Sequence, residues 1–405
     1  MRFQHLRPGN PPAVATTQMV PGANDRASSA TPPRVVKHPA ARIYGSIRTA
    51  HLERLDGMAP SIIIYNRRRY DFDASAAPEG ARLLQLGRLA TVMHLLRHGY
   101  ETVEVNEPVW SNRWLDVTAQ VAAVRARRLL MRRRTTIVTY CIGNMDPIRS
   151  VRARRPKVPG VLVTTAARLF MKALCRSIDR LAFGTSGSFD VYADYVSRSL
   201  LEEKGRIFEA IPAPCTCLLA AARTADHGSS KGARLLFVGA FSDRKGIRQL
   251  MDTWDRLPQD KAGMSLRLVG KGPLTEVVKE WTQERPEVEL VVDPPRTFIH
   301  ESLRNAEVLI LLSQPLNGWR EQVGLPIVEG LSHGCRIVTT TETGLAPWLG
   351  AHGHVVLPVE TEVAHLARLL VTLKDQAWSR SGSLAHLPEM DQRLAADAWL
   401  FEQGS

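Results

Sequence analysis

The second half of the chain alternates short apolar runs with stretches of helical spacing, and this alternation restricts the possible fold more than any other feature. The apolar runs are rich in leucine and β-branched residues, which predicts buried strands. These strands are Leu235–Val238, Leu266–Val269, Val288–Val292, Val308–Leu312, Ile337–Thr340 and Val355–Leu357. Predicted helices begin near Gly246, Pro273, Phe298, Pro326 and Glu360. Regular alternation of this kind predicts a parallel, doubly wound α/β sheet.

The segment from Glu321 to Gly334 lies between two of these strands and has the features of a ligand site. Pro326 suits the first turn of a helix because its fixed φ fits there and its missing N–H would be unpaired. Gly334 suits the position that ends the helix. Gly324 removes a side chain where the loop meets the helix, and the N–H groups of the helix start, which includes Leu325, favour an anion.

Two carboxylates accompany this anion site. Glu321 lies in the loop and Glu329 about one turn into the helix, so both can face the crevice beyond the carboxyl ends of the strands. Such a pair suits a ligand with hydroxyl groups at both ends and phosphates between them. A nucleotide-sugar has this structure.

Three motifs resemble those of retaining glycosyltransferases with the GT-B fold, the large family 4 that is also called glycosyl transferases group 1. They are Glu321-x7-Glu329 followed by Gly334, the strand and loop Phe237–Gly246, and the turn Gly270–Pro273. They stand in the order of the family and cover about residues 233 to 375. The resemblance implies two Rossmann-like, doubly wound α/β domains that face a cleft.

The resemblance also implies roles for single residues. Glu321 would contact the transferred sugar and Glu329 the ribose. Lys245, with its neighbour Arg244, would neutralise the pyrophosphate as the sugar–phosphate bond breaks, a charge that a metal-free site must meet with cations and helix-end N–H groups. Lys271 would border the base. Glu321 and Lys245 are therefore the predicted catalytic residues, and no metal or cofactor is expected.

The chain departs from the family pattern at three places. Ala240 stands where the family usually has Arg, the loop after the first predicted strand keeps only Gly80, and Tyr140–Asn144 contains no His. These departures leave two alternatives open. One is a non-catalytic GT-B scaffold that binds a membrane or nucleic acid, and the other is a sugar-nucleotide epimerase on the same fold.

The first half of the chain carries the positive charge. Residues 1–210 contain 33 Lys and Arg against 17 Asp and Glu, whereas the remainder contains 20 against 23. The net charge of +13 therefore belongs to the first half. Such asymmetry predicts an anionic partner for that half.

Two predicted helices carry much of this charge. One, from about 116 to 133, ends in an arginine cluster. The other has Arg168, Lys172, Arg176 and Arg180 at helical spacing and Leu169, Phe170, Leu174 and Ile178 on its other face. A basic amphipathic helix is typical of proteins that lie on anionic membranes. A solvated surface is the alternative, and nucleic acid is not expected because few aromatic residues accompany the arginines.

The first half shows a Rossmann-like opening. Its predicted strands are Ser61–Tyr65, Thr102–Val105, Thr136–Tyr140 and Leu181–Thr185, and its predicted helices include Ala81–His98 and Phe189–Leu201. We expect a flexible tail at 1–40, an acceptor- and membrane-facing domain at 41–212, a donor-binding domain at 213–385, and a C-terminal helix at 386–405 that returns to the first domain.

These observations predict an enzyme. It would be a metal-independent retaining glycosyltransferase of hexosyltransferase type, with a UDP- or GDP-sugar donor and a glycan or lipid-linked acceptor, as in polysaccharide biosynthesis. Five scattered cysteines favour a reducing cytoplasm, and no apolar run reaches the about 18 residues that a spanning helix needs. The expected location is cytoplasmic and peripheral, on the inner face of the membrane.

Overall fold

A computed structural model describes most of the chain. The described residues are 17–18, 39–69, 72–154, 157–216, 234–258, 263–316 and 320–402. The expected flexible tail lies outside these residues except at 17–18, 39 and 40, and the polar loop at 222–232 lies outside them entirely.

The chain divides into two compact units. Unit 1 comprises Met1–Tyr140, Leu169–Leu181 and Asp397–Ser405, and unit 2 comprises Cys141–Arg168 and Ala182–Ala396. Each unit therefore contains segments that are distant in sequence. The expected boundaries of donor and acceptor domains stay a prediction.

The first sheet has the strand order β1-β4-β3-β2-β5-β6-β7-β8. Its strands are β1 (Thr17–Gln18), β2 (Ala40–Ile47), β3 (Ser61–Arg68), β4 (Leu83–Gln85), β5 (Thr102–Glu104), β6 (Thr136–Cys141), β7 (Arg180–Phe183) and β8 (Gly205–Ile207). The pairs β2–β3, β2–β5, β3–β4 and β5–β6 are parallel, and β1 pairs antiparallel with β4. Ile47, Ile63 and Leu83 form part of an apolar core on this sheet.

The helices that accompany this sheet are α1 (Thr49–Leu52), α2 (Arg88–Arg97), α3 (Trp114–Met131), α4 (Pro147–Arg154), α5 (Gly160–Ser177), α6 (Ser186–Ala193) and α7 (Arg198–Lys204). A short 3-10 turn, Ser111–Arg113, precedes α3. The predicted helix at about 116 to 133 is confirmed as α3.

Three predictions for this half are wrong in detail. Ser61–Tyr65 is not the first long strand, because β2 precedes it; Arg42 interrupts the apolar run of β2, and its burial depends on partners that are distant in sequence. Leu83–Gln85 is a strand paired with β3 rather than the start of a helix, since a short leucine run fits either period. The helix predicted at Phe189–Leu201 is two helices, α6 and α7, separated by a turn.

The predicted basic helix is confirmed as α5, but its faces differ from the prediction. Leu174 and Ile178 are buried as expected. Leu169 is 66% exposed, on the same side as the exposed Arg168. The exposed surface of this helix is therefore both basic and apolar. Within the described residues, no helix is long and apolar enough to cross a membrane.

The second sheet follows the sequence prediction closely. Its strands are β9 (Arg234–Val238), β10 (Ser265–Gly270), β11 (Val288–Val292), β12 (Val308–Leu311), β13 (Arg336–Thr340) and β14 (Val355–Leu357). They are parallel, in the order β11-β10-β9-β12-β13-β14. Phe237 pairs with Leu268, and both are fully buried in one large apolar core.

The helices of this region are α8 (Ile247–Asp255), α9 (Thr275–Gln283), α10 (Arg296–Asn305), α11 (Leu325–Ser332), α12 (Ala346–Ala351), α13 (Val363–Asp375), α14 (Arg380–Ala385) and α15 (Gln392–Phe401). The five predicted helix starts are confirmed to within a few residues. The chain from Asp397 onward belongs to unit 1, where Asp397 forms an ion pair with Arg42 at 2.5 Å.

Candidate functional site

Helix α11 begins at the carboxyl edge of the second sheet, as its sequence predicts. Gly324 caps it with φ +80°, and Pro326 lies in its first turn. A side chain at Gly324 would meet the strained left-handed φ and approach Ile327 Cδ1 at 3.0 Å. The glycine therefore allows the loop to turn sharply into the helix. In the first turn of α11, Ile327 N and Val328 N both donate to Gly324 O, at 2.8 and 3.2 Å, and Pro326 has no N–H. The N–H of Leu325 is the one for which no acceptor is found among the described residues.

Glu321 and Lys245 form a buried ion pair at this edge. Lys245 follows β9 in a 3-10 turn, and Glu321 follows β12. The Nζ of Lys245 contacts Oε2 of Glu321, and Ser313 Oγ donates to the same oxygen at 3.1 Å. Both side chains are only 10% exposed. The structure thus brings the two predicted catalytic residues into direct contact.

Gly246 makes this arrangement possible. It has φ +70°, and a Cβ there would clash with the carbonyl oxygen of Leu312. The turn that carries Lys245 therefore packs directly against the end of β12, on the loop that leads to Glu321. The motif Lys-Gly has a steric reason as well as an electrostatic one.

Glu329 lies one turn into α11 and is also buried. Its Oε1 accepts from Arg296 Nη2 at 2.6 Å. Arg296 is the first residue of α10, the helix that follows β11. Arg296 was not among the predicted site residues, because no motif marks it and only the fold brings it to Glu329.

The remaining predicted residues lie on the same edge with other partners. Lys271 follows β10 and pairs with Asp293 at 2.6 Å, a contact between two partly exposed side chains. Arg244 is half-buried and lines a pocket of about 260 Å³ together with Gln249 and Gln314. The structure places Arg244 next to the Lys245–Glu321 pair in sequence but in a separate pocket.

Asn144 is a second residue that the sequence analysis missed. It lies in the loop after β6, in the segment where the family has a His, and it is buried. Its Nδ2 donates to the backbone oxygen of Glu321 at 2.8 Å, whereas its Oδ1 has no hydrogen-bond partner among the described residues. The donor atom must face the carbonyl oxygen, so the unpaired acceptor points elsewhere. The signal in the sequence was a polar residue three positions after the end of a parallel strand.

The loop after β13 supports the loop that carries Glu321. Gly344 N donates to Gln322 O at 2.9 Å, and Thr343 Oγ1 donates to Val323 O at 2.8 Å. Glu342 is buried and pairs with Arg320 at 3.3 Å. These contacts fix both sides of the turn before α11.

Buried histidines lie behind this edge. His333 ends α11, and its Nδ1 lies 2.7 Å from the backbone oxygen of Glu329. Burial lowers the pKa of His333 to about 4, against the opposing effect of that hydrogen bond.

Among the described residues no group of three or more His, Cys, Asp or Glu could hold a metal ion.

Known structures share this fold over nearly the whole chain. HepE (Alr3699) from Anabaena, solved with UDP-glucose, aligns at 14% identity with a TM-score of 0.58 and covers 90% of this chain and 98% of its own. WaaG, a glycosyltransferase of lipopolysaccharide biosynthesis, aligns at 14% identity with a TM-score of 0.53, covering 90% and 100%. Sucrose-phosphate synthase from Thermosynechococcus elongatus gives 16% and 0.55, covering 90% and 95%. The predicted GT-B class, with two Rossmann-like α/β domains, is confirmed.

The sequence family agrees with the fold. Residues 232–375 match the family model of glycosyl transferases group 1. This match confirms the resemblance that the motifs indicate and the predicted enzyme class, a glycosyltransferase. No curated protein matches the chain in sequence.

Proposed function

We propose that this chain is a retaining, metal-independent glycosyltransferase. It moves a sugar from a UDP- or GDP-sugar to a glycan or lipid-linked acceptor. The observation that carries the proposal is the buried Lys245–Glu321 pair beside the start of α11, at the edge of a parallel sheet where such folds bind ligands. The roles of the site residues below are part of the same proposal.

Lys245 and the start of α11 supply positive charge for the donor diphosphate. As the sugar–phosphate bond breaks, negative charge grows on the leaving phosphate. A buried ammonium and the N–H of Leu325, which are already in place, stabilise this charge without reorganisation. Gly324 and Leu325 let the phosphate approach the backbone, and Arg244 adds a cation from the same turn as Lys245.

Glu321 and Glu329 bind hydroxyl groups at the two ends of the donor. Ser313 and Lys245 hold the carboxylate of Glu321, which contacts the transferred sugar. Arg296 holds the carboxylate of Glu329, which contacts the ribose. Carboxylates held in this way keep their geometry when the ligand is absent, which lowers the ordering cost of binding. Lys271, on the next strand end, borders the base.

Asn144 completes the sugar end of the site. Its unpaired Oδ1 is a buried hydrogen-bond acceptor beside the backbone of Glu321. A buried acceptor without a partner is unfavourable, so a ligand hydroxyl that donates to it gains free energy. We assign this contact to a hydroxyl group of the transferred sugar.

UDP is the first nucleotide to test, because the structure of HepE contains UDP-glucose.

The basic surface at the end of α3 gives the membrane part of the proposal. Leu129, Leu130 and Met131 are exposed there, and the neighbouring arginines Arg125, Arg128, Arg132, Arg133 and Arg134 line an open groove of about 540 Å³ with Leu129. Exposed apolar and basic side chains together favour an anionic membrane surface over nucleic acid. The proposed location is cytoplasmic and peripheral, on the inner face of the membrane.

A thermal-shift panel with UDP, GDP, ADP and dTDP tests the donor site. Ligand at a hundredfold over its dissociation constant adds about 2.7 kcal/mol to the free energy of unfolding. One nucleotide should stabilise the intact chain, and Glu329→Ala and Lys245→Ala should lose the shift. Lys279→Ala is the matched control, because Lys279 is exposed and pairs only along α9 with Glu276.

The outcomes separate the alternatives. No shift with any nucleotide, from a folded sample, would refute the donor site. Nucleotide binding without sugar transfer or donor hydrolysis would favour a non-catalytic scaffold. Where transfer occurs, proton NMR of the first product reports the anomeric configuration, and an inverted product would refute the retaining mechanism.

A further inference from the structure

The first sheet has its own switch point, which lies between β2 and β5. The chain adds β3 and β4 on one side of β2 and then crosses to place β5 and β6 on the other side. In open α/β sheets, ligands bind beyond the carboxyl ends of the strands at this reversal. Gly45, near the end of β2, and Asn106, two residues after β5, mark the place.

Asn106 spans the switch point and keeps a donor without a partner. Its Oδ1 accepts from Gly45 N at 3.0 Å. Its Nδ2 is buried, and among the described residues nothing accepts its hydrogen bonds. The amide cannot be turned over, because Oδ1 must face the N–H of Gly45. A buried donor of this kind is satisfied when an acceptor, such as an anionic oxygen, binds beside it.

Arg113 lies at the same place. Its guanidinium packs directly against the backbone of Gly45, where a Cβ at position 45 would clash with it. The absence of a side chain at Gly45 therefore leaves the space that this guanidinium occupies at the switch point. The side chain of Arg113 is 25% exposed, so it is held by the fold and still open to solvent.

Two further arginines lie near Arg113, and one of them shares a carboxylate with it. Arg88 Nε pairs with Asp116 Oδ1 at 2.9 Å, and Arg113 Nη1 lies 3.7 Å from Asp116 Oδ2. Arg67, near the end of β3, and Arg88 both act electrostatically on Arg113. Burial lowers the pKa of Arg113, Asp116 opposes this, and Arg67 and Arg88 lower it further. Three guanidinium groups and one carboxylate leave an excess of two positive charges.

The N-terminus of α2 adds to this excess. Arg88 is the first residue of the ten-residue helix α2, and Gly87 before it provides no side-chain cap. The first N–H groups of a helix have no intrahelical acceptor and favour an anion. The helix end, the arginines and the amide of Asn106 thus offer donors of the kind that a phosphate accepts.

We propose that Asn106, Arg67, Arg88 and Arg113 form a phosphate-binding site at the switch point of the first sheet. A phosphate monoester carries about −1.5 to −2 charge near neutral pH, which matches the excess of positive charge. Arginine also pairs with phosphate through two parallel hydrogen bonds. The ligand is then the phosphate group of the acceptor. Naming it an acceptor rests on the proposed glycosyltransferase activity, whereas the anion site does not.

Binding of inorganic phosphate to the full chain, followed by calorimetry, is the direct test. We expect binding that weakens at least about tenfold in Arg113→Gln, the loss of one charge-assisted contact. Arg67→Gln is the second variant, because Arg67 is exposed and its replacement leaves the packing intact. Arg198→Gln is the control, since Arg198 is exposed and pairs with Asp190. Lys245→Ala is a second control. It disrupts the proposed donor site on the second sheet and should leave the phosphate affinity within about twofold.

A second arm identifies the source of the phosphate. Vesicles of phosphatidylcholine with phosphatidic acid present a lipid phosphate monoester, and glucose 6-phosphate presents a free one. Sensitivity of vesicle binding to Arg113→Gln assigns the site to a lipid headgroup, and the same sensitivity for glucose 6-phosphate assigns it to a sugar phosphate. Phosphate and vesicle binding that do not change in Arg113→Gln and Arg67→Gln would overturn the proposal.

The two proposals fail separately. If UDP stabilises the chain while phosphate binding is insensitive to both arginine variants, only the anion site is wrong. If no nucleotide binds but phosphate binding depends on Arg113, only the donor site is wrong.

Discussion

The carboxyl edges of the two sheets carry charge in different ways. On the second sheet four cations each pair with a carboxylate of their own: Lys245 with Glu321, Arg296 with Glu329, Lys271 with Asp293 and Arg320 with Glu342. On the first sheet Arg88 and Arg113 pair with the same carboxylate, Asp116, and Arg67 acts electrostatically on Arg113. A paired edge holds its side chains in a defined geometry without a ligand. An edge with excess charge gains most from an anion that arrives from outside.

The difference also predicts how each edge responds to substitution. Removing one member of a buried pair leaves an uncompensated charge, which costs about 3–5 kcal/mol. Removing an arginine from an edge that has more cations than carboxylates relieves repulsion instead. Substitutions at the second sheet should therefore affect stability and chemistry together, and those at the first should affect mainly binding. The following predictions are ordered by expected size.

The largest effect is expected from Glu321→Gln. The variant keeps the shape of the side chain but removes the carboxylate that pairs with Lys245 and that we propose contacts the transferred sugar. We expect kcat to fall by about 10³-fold, of the size seen when one preorganised group is removed, while UDP binding is retained. Glu276→Gln, an exposed residue of α9, is the control. A kcat within about tenfold of the intact chain would contradict the catalytic role.

Within unit 1, the fully paired cluster around Arg42 should behave like the second sheet and not like the switch point. Arg42 is fully buried, and it pairs with Glu104 at 2.7 Å and with Asp397 at 2.5 Å. Arg42→Met would leave two buried carboxylates without their cation. We expect a loss of about 3–5 kcal/mol in the free energy of unfolding. Urea titration measures it. Arg67→Gln, at the unbalanced edge, should change the same quantity by less than about 0.5 kcal/mol.

Acid should weaken the second unit through its buried histidines. Burial lowers the pKa of His354 to about 4, with His352, Arg336 and His386 acting in the same direction. The unfolded chain binds this proton near pH 6.5 and the folded chain near pH 4, so stability is full above about 6.5 and falls as pH drops through 4. The loss is about 3 kcal/mol for His354.

The matched variant for this prediction is His354→Asn. Its side-chain oxygen can accept from Ile337 N, as His354 Nδ1 does at 3.1 Å, but it does not titrate. Denaturant unfolding at pH 7 and pH 4.5 should show a smaller decrease in the variant than in the intact chain. Equal decreases in both would mean that His354 is not the titrating group.

Asn144→Ala should give the smallest effect among the substitutions at the proposed donor site. It removes the hydrogen bond to Glu321 O and the unpaired acceptor together. We expect kcat/KM for sugar transfer to fall about tenfold, the free energy of one or two hydrogen bonds. UDP binding should not change, because Asn144 is assigned to the sugar. A loss of UDP binding would place Asn144 at the nucleotide instead.

The sequence predicted the second sheet better than the first for a physical reason. The strands of the second sheet are dominated by apolar residues, and runs such as Val308–Leu312 are uninterrupted, as is typical of buried parallel strands. Where a charge interrupts a run, as Arg267 does in β10 and Glu289 in β11, the two side chains pair across neighbouring strands and stay partly exposed. In the first sheet, β2 contains Arg42, and the pairing that permits its burial comes from residues far along the chain. Local patterns carry no information about such partners.

The same limit applies to the site. Glu321, Glu329 and Lys245 follow from spacing and resemblance, but their pairing partners do not. Arg296 and Asn144 reach the site only because their strands end at the same edges, which depends on strand order. The orphan amide of Asn106 is likewise invisible without the fold, since it is defined by a hydrogen bond to Gly45.

Unit 1 is built from segments at both ends of the given sequence, which affects when each unit can fold during synthesis. Its segments include the start of the chain and Asp397–Ser405, and Arg42 obtains its second carboxylate from Asp397. Until Asp397 has been translated, Glu104 is the only one of these two carboxylates that can pair with Arg42. Unit 1 can therefore complete its folding only after Asp397 and the residues that follow it have emerged from the ribosome. Most of unit 2 emerges earlier. Ribosome-bound chains that end before residue 397 should be cleaved by protease within residues 39–140 and become resistant once the full chain is released.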